Sequence, residues 1–322
     1  FKIVPPNSFV MNPMNLRFGA INYSKVKIPV SVSGYYNIFE IENGKNNEFW
    51  SAYFLTKTAI NLYNSVATGS LIEKKRVHFS QFIQLSFYVP SDVEKQKITR
   101  FLQLIENRIA VQNKIISDLK VLKKELCNRY FKSVHNDMSL GYITLKDILT
   151  ERKEYCSKDG TYTHGTLSKE GVSPKTERYD RDFLVKNEDK QYKVTHFNDI
   201  CYNPANLKFG VICRNTYGDL IFSPIYVTFE IADTVYPAYI ELFLTNANFI
   251  GRIRRYEQGT VYERMAVSSE DFLSYETRMP TYEDQVKFAD KIQRIQDKIE
   301  LETLFLNYLQ RQRKYLLNAM FI

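Results

Sequence analysis

The sequence has 322 residues, of which 44% are hydrophobic and 25% charged, and it carries a net charge of +8. This composition excludes a disordered polymer, and no window approaches the roughly 18 uncharged apolar residues that a membrane helix needs. The length is sufficient for two ordinary domains, each with its own core. The positive charge favours a polyanionic partner such as nucleic acid, because neutralised phosphates release counterions.

The N-terminal residues show no charged segment followed by an apolar run, so we predict no secretory signal and a cytoplasmic location. The four cysteines, Cys127, Cys156, Cys201 and Cys213, form no CxxC pair. Zinc-ligand spacing is therefore absent, and we predict no metal-binding residues in this chain.

The first predicted domain covers residues 1–92 and begins with short alternating stretches that are typical of strands. It contains the segment Asn12–Ile21, in which Asn-Pro and a following Gly favour turn scaffolding over a functional role. Base and phosphate contacts need cationic and small polar side chains on loops. The first domain's candidates for DNA contact are Thr68, Ser70, Lys74, Lys75 and Arg76.

A long helix is predicted over residues 93–132, with Pro90 and Ser91 supplying the turn and the N-cap. Apolar residues recur along it at alternating spacings of four and three, which is the seam of a coiled coil. The seam includes Ile105, Ile109, Ile116, Leu119, Lys123 and Leu126.

The second predicted domain covers residues 133–282 and repeats the first at an offset of about 190 residues. Asn12–Ile21 returns as Asn203–Ile212, and Pro90 returns as Pro280. A leading segment, roughly residues 140–191, has no counterpart in the first copy. The second domain's candidates for DNA contact are His164, Thr166, Ser168, Lys169, Arg252, Arg254, Arg255, Thr260, Tyr262 and Arg264.

A second long helix is predicted over residues 283–322, with Thr281 as a candidate N-cap and a seam that matches the first. Two matched seams most simply bury each other, so we predict an antiparallel coiled coil. We expect a register that sets Lys123 against Glu302, Arg313 against Gln112 and residue 119 beside residue 306. The second seam includes Ile295, Ile299, Glu302, Leu306, Leu309, Arg313 and Leu316.

The fold class predicted from these elements is α+β, with two tandem α/β target-recognition domains, each followed by a long helix. Three features together resemble the specificity subunits of type I restriction-modification enzymes. They are the duplicated Asn-Pro-x-Asn-Leu-x-Phe-Gly segment, the residues Pro90 and Pro280 that precede the long helices, and the Leu-rich sequence of those helices. The resemblance covers almost the whole chain, and the duplicated order of the motifs carries it.

This resemblance implies that each domain reads one half of a bipartite site in double-stranded DNA. The helices would act as a spacer that docks two methyltransferase subunits, with restriction subunits added in the full complex. The family's specificity subunit catalyses nothing. S-adenosylmethionine would bind to the methyltransferase partner, and ATP and Mg²⁺ to the restriction partner.

The first copy departs from the family pattern because it lacks about 50 residues that lead the second copy, and we expect an incomplete record rather than a defective domain. Two other functions remain open. An adenine methyltransferase would need a second Pro and an aromatic after Asn-Pro, and a Gly-rich donor turn, which both copies lack. A coiled-coil scaffold that does not bind specific DNA is disfavoured only by charge and by the resemblance.

Overall fold

The computed structural model describes residues 1–42, 46–157, 160–175, 191–259 and 265–320. No helix among these described residues is long and apolar enough to span a lipid bilayer.

The chain forms two compact units, and both contain residues that are distant in sequence. Unit 1 comprises Phe1–Ser117 and Glu300–Ile322, and unit 2 comprises Asp118–Ile299. Each unit therefore contains part of both long helices, α4 (Asp92–Asn136) and α8 (Tyr282–Met320). The predicted domain limits, which follow chain order, stay predictions.

Unit 1 places short strands and helices before the first long helix. One sheet pairs β1 with β4, and a second has the order β3-β2-β5. All of these pairings are antiparallel. The elements are β1 (Lys2–Val4), β2 (Phe9–Met11), β3 (Ile21–Tyr23), β4 (Val30–Val32), β5 (Asn37–Phe39), α1 (Asn47–Tyr53), α2 (Lys57–Val66) and α3 (Phe79–Phe82).

Unit 2 contains three sheets, with the orders β10-β9-β14-β11-β8, β13-β12-β15-β7 and β16-β6. Its strands are β6 (Tyr142–Thr144), β7 (Leu149–Glu151), β8 (Tyr155–Cys156), β9 (Thr163–Ser168), β10 (Gly171–Pro174), β11 (Tyr192–Thr195), β12 (Ile200–Tyr202), β13 (Ile212–Arg214), β14 (Leu220–Phe222), β15 (Val227–Ile231) and β16 (Glu276–Arg278). Its short helices are α5 (Pro237–Leu244), α6 (Ala247–Ile253) and α7 (Ser269–Leu273).

The two units repeat one topology, as the sequence predicts. The pair β1-β4 corresponds to β11-β14, and the order β3-β2-β5 corresponds to β13-β12-β15. In unit 2, β7, β8 and β9 add to these sheets beside β15, β11 and β14. These added strands come from the leading segment that has no counterpart among the described residues of unit 1. The predicted α+β class is confirmed.

The repeated Asn-Pro segments are turns. The side-chain oxygen of Asn12 accepts a hydrogen bond from the amide of Met14, and that of Asn203 accepts one from Ala205. Each turn ends at a glycine in the left-handed region, Gly19 with φ 82° or Gly210 with φ 80°. The predicted scaffolding role of the segment is therefore confirmed.

The long helices begin at the predicted caps. The amide of Glu94 donates to the Ser91 hydroxyl at 3.4 Å, and the amide of Ser91 donates back to the Glu94 carboxylate at 3.0 Å. The Ser91 hydroxyl, which donates to that carboxylate at 2.8 Å, and the Ser91 amide lower the pKa of Glu94. At α8, the amide of Asp284 donates to the Thr281 hydroxyl at 3.3 Å.

The paired helix segments of unit 1 bury the predicted seam. Ile116 and Leu309 are buried. The other seam residues are half-buried, while most residues on the remaining faces are exposed. Those half-buried residues are Ile105, Ile109, Glu302, Leu306, Arg313 and Leu316.

The paired segments of unit 2 continue the same pattern. Ile299 is buried, and Leu119, Lys123, Leu126 and Ile295 are half-buried. The rings of Tyr130 and Phe288 stack with centroids 3.6 Å apart and planes 7° apart. The seams therefore meet in an antiparallel arrangement in each unit.

The predicted register of this pairing is wrong. In unit 1 the Gln112 amide donates to the main-chain oxygen of Glu302 at 3.0 Å and also to its carboxylate, and Arg313 contacts Glu106. Arg108 lies over the ring of Phe305, so residue 306 does not face residue 119. The helices are shifted by roughly two to three turns from the predicted alignment.

The register differs from the prediction because the polar seam residues have other partners than those expected. An amide can both donate to a carboxylate and lie within a seam, so Gln112 and Glu302, which hold the same position in the repeat, satisfy each other. Long cationic side chains can extend beyond the seam to partners at its edge. In unit 2 the Lys123 ammonium accordingly donates to Gln296 at 2.9 Å rather than to Glu302.

Candidate nucleic-acid interface

In unit 1 the candidate residues 68–76 form a closed loop after α2. The amide of Thr68 donates to the carbonyl of Arg76 at 2.9 Å, and the amide of Arg76 donates to the carbonyl of Thr68 at 2.9 Å. Lys74 and Arg76 are exposed, and Lys75 between them is half-buried. The loop therefore presents three neighbouring cations from a closed base.

The repeated Asn-Pro turn supports this loop. Val77, which follows Arg76, is fully buried and its amide donates to the carbonyl of Pro13 at 3.0 Å. In unit 2 the amide of Val267 donates to the carbonyl of Pro204 at 3.3 Å. The most recognisable motif of the sequence thus supports the base of a candidate loop in each unit.

The corresponding loop of unit 2 has the same base. The amides and carbonyls of Gln258 and Ala266 exchange hydrogen bonds of 2.9 and 3.0 Å. Gly259 has φ 138°, as Gly69 has φ 151° in unit 1. The candidates Thr260, Tyr262 and Arg264 belong to this loop but lie outside the described residues.

The glycine at the base of the unit 1 loop has no room for a side chain. A Cβ on Gly69 would lie 2.9 Å from the Cα of Lys75 and 3.1 Å from the carbonyl oxygen of Lys74. Its positive φ is also one that other residues rarely adopt. The loop's shape therefore depends on glycine at this position.

We expect Gly69→Ala to lower the free energy of unfolding of unit 1 by about 1–3 kcal/mol, or to displace the loop so that a strain of this size is relieved. The single tryptophan, Trp50, lies in unit 1, so denaturant unfolding followed by its fluorescence measures the effect. Ser70→Ala, at an exposed neighbouring position, is the control and should change stability by less than about 0.5 kcal/mol. Equal stability of both variants would contradict the close packing at Gly69.

The three candidate arginines after α6 have different surroundings. Arg254 forms an ion pair with Glu257 at 3.3 Å, and Arg255 is exposed with its Nε donating to the carbonyl of Arg252 at 3.1 Å. Arg252 is half-buried and lines a cavity of about 200 Å³. Arg255 is therefore the arginine of this group best placed to reach a ligand at the surface.

The candidates of the β9-β10 hairpin are partly engaged within unit 2. The ring of His164 meets the edge of Tyr192, with centroids 4.6 Å apart, and the Ser168 hydroxyl accepts from the amide of Glu170 at 3.1 Å. Thr166 and Lys169 are exposed. Lys169 lines a groove beside α5 and α8, a different cavity from that of Arg252. The DNA-contact role of all these residues stays a prediction.

Three residues that the sequence analysis did not single out share the cavity of Arg252. They are Lys132, His135 and Arg278. Arg278 could have been noticed from the repeat, because an offset of 190 aligns it with Tyr88, an unusual exchange of an aromatic for a cation. No such exchange marks Lys132 and His135, because both lie beyond the predicted seam residues, near the end of α4.

Comparison with known proteins finds a family match for the N-terminal part of the chain. Residues 1–121 match the profile of the type I restriction modification DNA specificity domain. The N-terminal region is therefore similar to the type I DNA specificity domain. The resemblance stated from the sequence is thereby confirmed, as is the prediction of a chain that recognises DNA sequence. No curated protein matched the chain.

Solved structures share the fold along nearly the whole chain. The type I restriction-modification S subunit from M. genitalium is 12% identical with a TM-score of 0.52, covering 99% of this chain and 84% of that one. The HsdS subunit from Thermoanaerobacter tengcongensis is 11% identical with a TM-score of 0.53, covering 99% and 82%. At these identities the likeness establishes the fold alone.

A third structure has the highest TM-score of the three. It concerns complex assembly and conformational transition of the type I R-M system, is 10% identical with a TM-score of 0.61, and covers 98% of this chain and 82% of that one. The long helices that follow each specificity domain are part of this shared fold.

Proposed function

We propose that the chain is the DNA sequence-recognition subunit of a type I restriction-modification complex. The match of residues 1–121 to the DNA specificity domain carries this proposal. It is supported by the repeat of that domain in unit 2 and by the net charge of +8. Each domain would read one half of a bipartite site.

The partners and the division of chemistry belong to the same proposal. The long helices would dock two methyltransferase subunits, to which restriction subunits are added, in the cytoplasm. S-adenosylmethionine, ATP and Mg²⁺ would bind to those partners, and this chain would itself be non-catalytic. The protein described for complex assembly of the type I R-M system supports this arrangement by its fold.

Binding assays with the methyltransferase partner distinguish this function from a scaffold. Gel shifts on random duplexes and on a selected site should show a clear preference for the selected site. Methylome sequencing of cells that express the full complex should then show a bipartite methylated motif with a fixed spacer. Equal affinity for every duplex would leave only the scaffold.

The unit 1 loop should contribute phosphate contacts to that binding. We expect the triple variant Lys74→Ala, Lys75→Ala, Arg76→Ala to weaken binding to all duplexes. The slope of log affinity against log salt should also fall by about 1 for each phosphate that the loop no longer neutralises. Fluorescence anisotropy at a series of salt concentrations measures both quantities.

A matched control separates these contacts from the general effect of charge. Lys114, Lys120 and Lys124 are exposed on α4, and changing all three to alanine removes the same net charge. This control should alter the salt slope much less than the loop variant. Equal slopes for the two triple variants would show that the loop contributes only bulk charge.

A further inference from the structure

A basic cavity lies in unit 2 where the last turn of α4 meets α6 and β16. It has a volume of about 200 Å³ and is lined by Lys132 and His135 from α4, Arg252 from α6 and Arg278 from β16. Asn248 adds a neutral polar side chain. Among the described residues that line it there is no aspartate or glutamate. The cavity therefore concentrates positive charge without a lining carboxylate.

Arg278 is the buried member of this group, with 4% of its surface exposed. One terminal nitrogen donates to the carbonyls of Asp137 and Leu140, and the guanidinium lies 4.1 Å above the ring of Tyr142. Its Nε is buried and has no hydrogen-bond partner in the part of the chain that the structure describes. A buried charged donor without an acceptor is costly, so this atom calls for a ligand.

The remaining cavity cations also lack neutralising partners. Within the described ranges, no ion pair is found for Lys132, His135 or Arg252. Burial first, and then the charges of Arg252 and Arg278, lower the pKa of His135. The Asp137 carboxylate, just beyond the end of α4, accepts hydrogen bonds from the Ser139 amide and hydroxyl. The positive potential at the imidazole is thus left uncompensated.

The repeat shows that the fold does not require these cations. The matching cavity of unit 1 is lined by Leu62 and Tyr88, which stand 190 residues before Arg252 and Arg278. The alignment is anchored by buried residues in the same helices, with Ala59 matching Phe249. At these two positions the repeat therefore holds a leucine and a tyrosine in unit 1, in a cavity that Glu94 and Lys97 also line, and two arginines in unit 2.

We propose that the unit 2 cavity is a binding site for a phosphate group. Its size exceeds that of several water molecules, so it can hold such a group. Arginine guanidinium groups bind phosphate through charge-assisted hydrogen bonds. The phosphate comes either from the backbone of duplex DNA or from a free anion. Only the DNA source rests on the proposed function.

The imidazole of His135 can report on anion binding, because it lines the cavity. The groups that face it are Lys132 on its own helix, Arg252 on α6, and Arg278 on β16 with the nearby Asp137. A bound anion stabilises the imidazolium, so phosphate should raise the pKa of His135. NMR titration of the full chain measures this, with the signal assigned from a His135→Asn variant and with chloride matching the ionic strength.

The variant Arg252→Leu places in unit 2 the residue that the repeat has in unit 1. Without phosphate it should raise the pKa of His135, because one repelling charge is gone. It should also remove most of the further rise caused by inorganic phosphate. Lys153→Leu removes an exposed positive charge of unit 2 that does not line the cavity, and it should leave that rise intact.

The possible outcomes distinguish three questions: whether the site binds phosphate, where that phosphate comes from, and whether the proposed function is correct. A rise in the pKa of His135 with inorganic phosphate and also with duplex DNA supports a site for backbone phosphate. A rise with inorganic phosphate alone supports a free-anion site. The absence of any rise with either, or an equal loss of the rise in Lys153→Leu, overturns the site. Sequence-specific gel shifts test the proposed function independently of these results.

Discussion

Replacing Asp199 with alanine should lower the free energy of unfolding of unit 2 by about 3–5 kcal/mol, because it removes the closest counter-ion of the largely buried Arg152 guanidinium. Only the longer contacts to Glu154 at 3.9 Å and Glu230 at 3.7 Å would remain. Asp199 is 2% exposed and accepts hydrogen bonds from Nε and a terminal nitrogen of Arg152 at 2.8 and 3.0 Å. It also accepts from the amide of His196 at 2.8 Å. The Thr195 hydroxyl also donates to this carboxylate at 3.4 Å, so the change removes four hydrogen bonds.

Far-UV circular dichroism during urea unfolding measures this loss, while Trp50 fluorescence follows unit 1. A chain with two units can unfold in more than one step, so both signals are needed. Asp233→Ala, at an exposed position, is the control and should shift stability by less than about 0.5 kcal/mol. If Asp199→Ala behaved like this control, the ion pair would not stabilise unit 2.

Phe288→Ala should cost unit 2 about 3–5 kcal/mol. Phe288 is 8% exposed, stacks on Tyr130 of α4 at 3.6 Å and meets the edges of Phe131 and Tyr239 at 5.6 and 6.3 Å. One ring therefore contacts aromatic residues of α4 and α5. Its removal opens a cavity among three helices that cannot close without moving them.

Hydrogen exchange measured by mass spectrometry should show faster exchange in α5 and in the α4 and α8 segments of unit 2. Val121→Ala is a control on α4, since Val121 is 58% exposed, and it should leave exchange nearly unchanged. Protection that stays the same in Phe288→Ala would mean that this cluster does not stabilise the paired helices.

Side-chain periodicity was sufficient to predict the long helices. A repeat of four and three identifies a seam because only that face of each helix is removed from water. The seam residues from Ile105 to Leu316 are accordingly buried or half-buried. Register was not predictable in this way, because apolar seams tolerate several alignments and the polar contacts that select one depend on side-chain reach. Glu106 and Gln296, which bind Arg313 and Lys123, lie outside the predicted seam.

The candidate loops were predictable from residue type, but their surroundings were not. Lys74 and Arg254 have similar sequence contexts, yet Lys74 is exposed on a closed loop and Arg254 is paired with Glu257. Pairing between residues a few positions apart depends on the backbone turn, which a list of charges does not specify.

The sequence by itself determined the duplication, the antiparallel pairing of two long helices and the family resemblance, because these depend on order and periodicity along the chain. Only the tertiary structure decided the register of the helices and the cavity that joins Lys132 to Arg252 and Arg278. Those features depend on distances between residues that are far apart in sequence. Burial removes water at such places, so each charged group can interact only with the partners that the fold brings close to it.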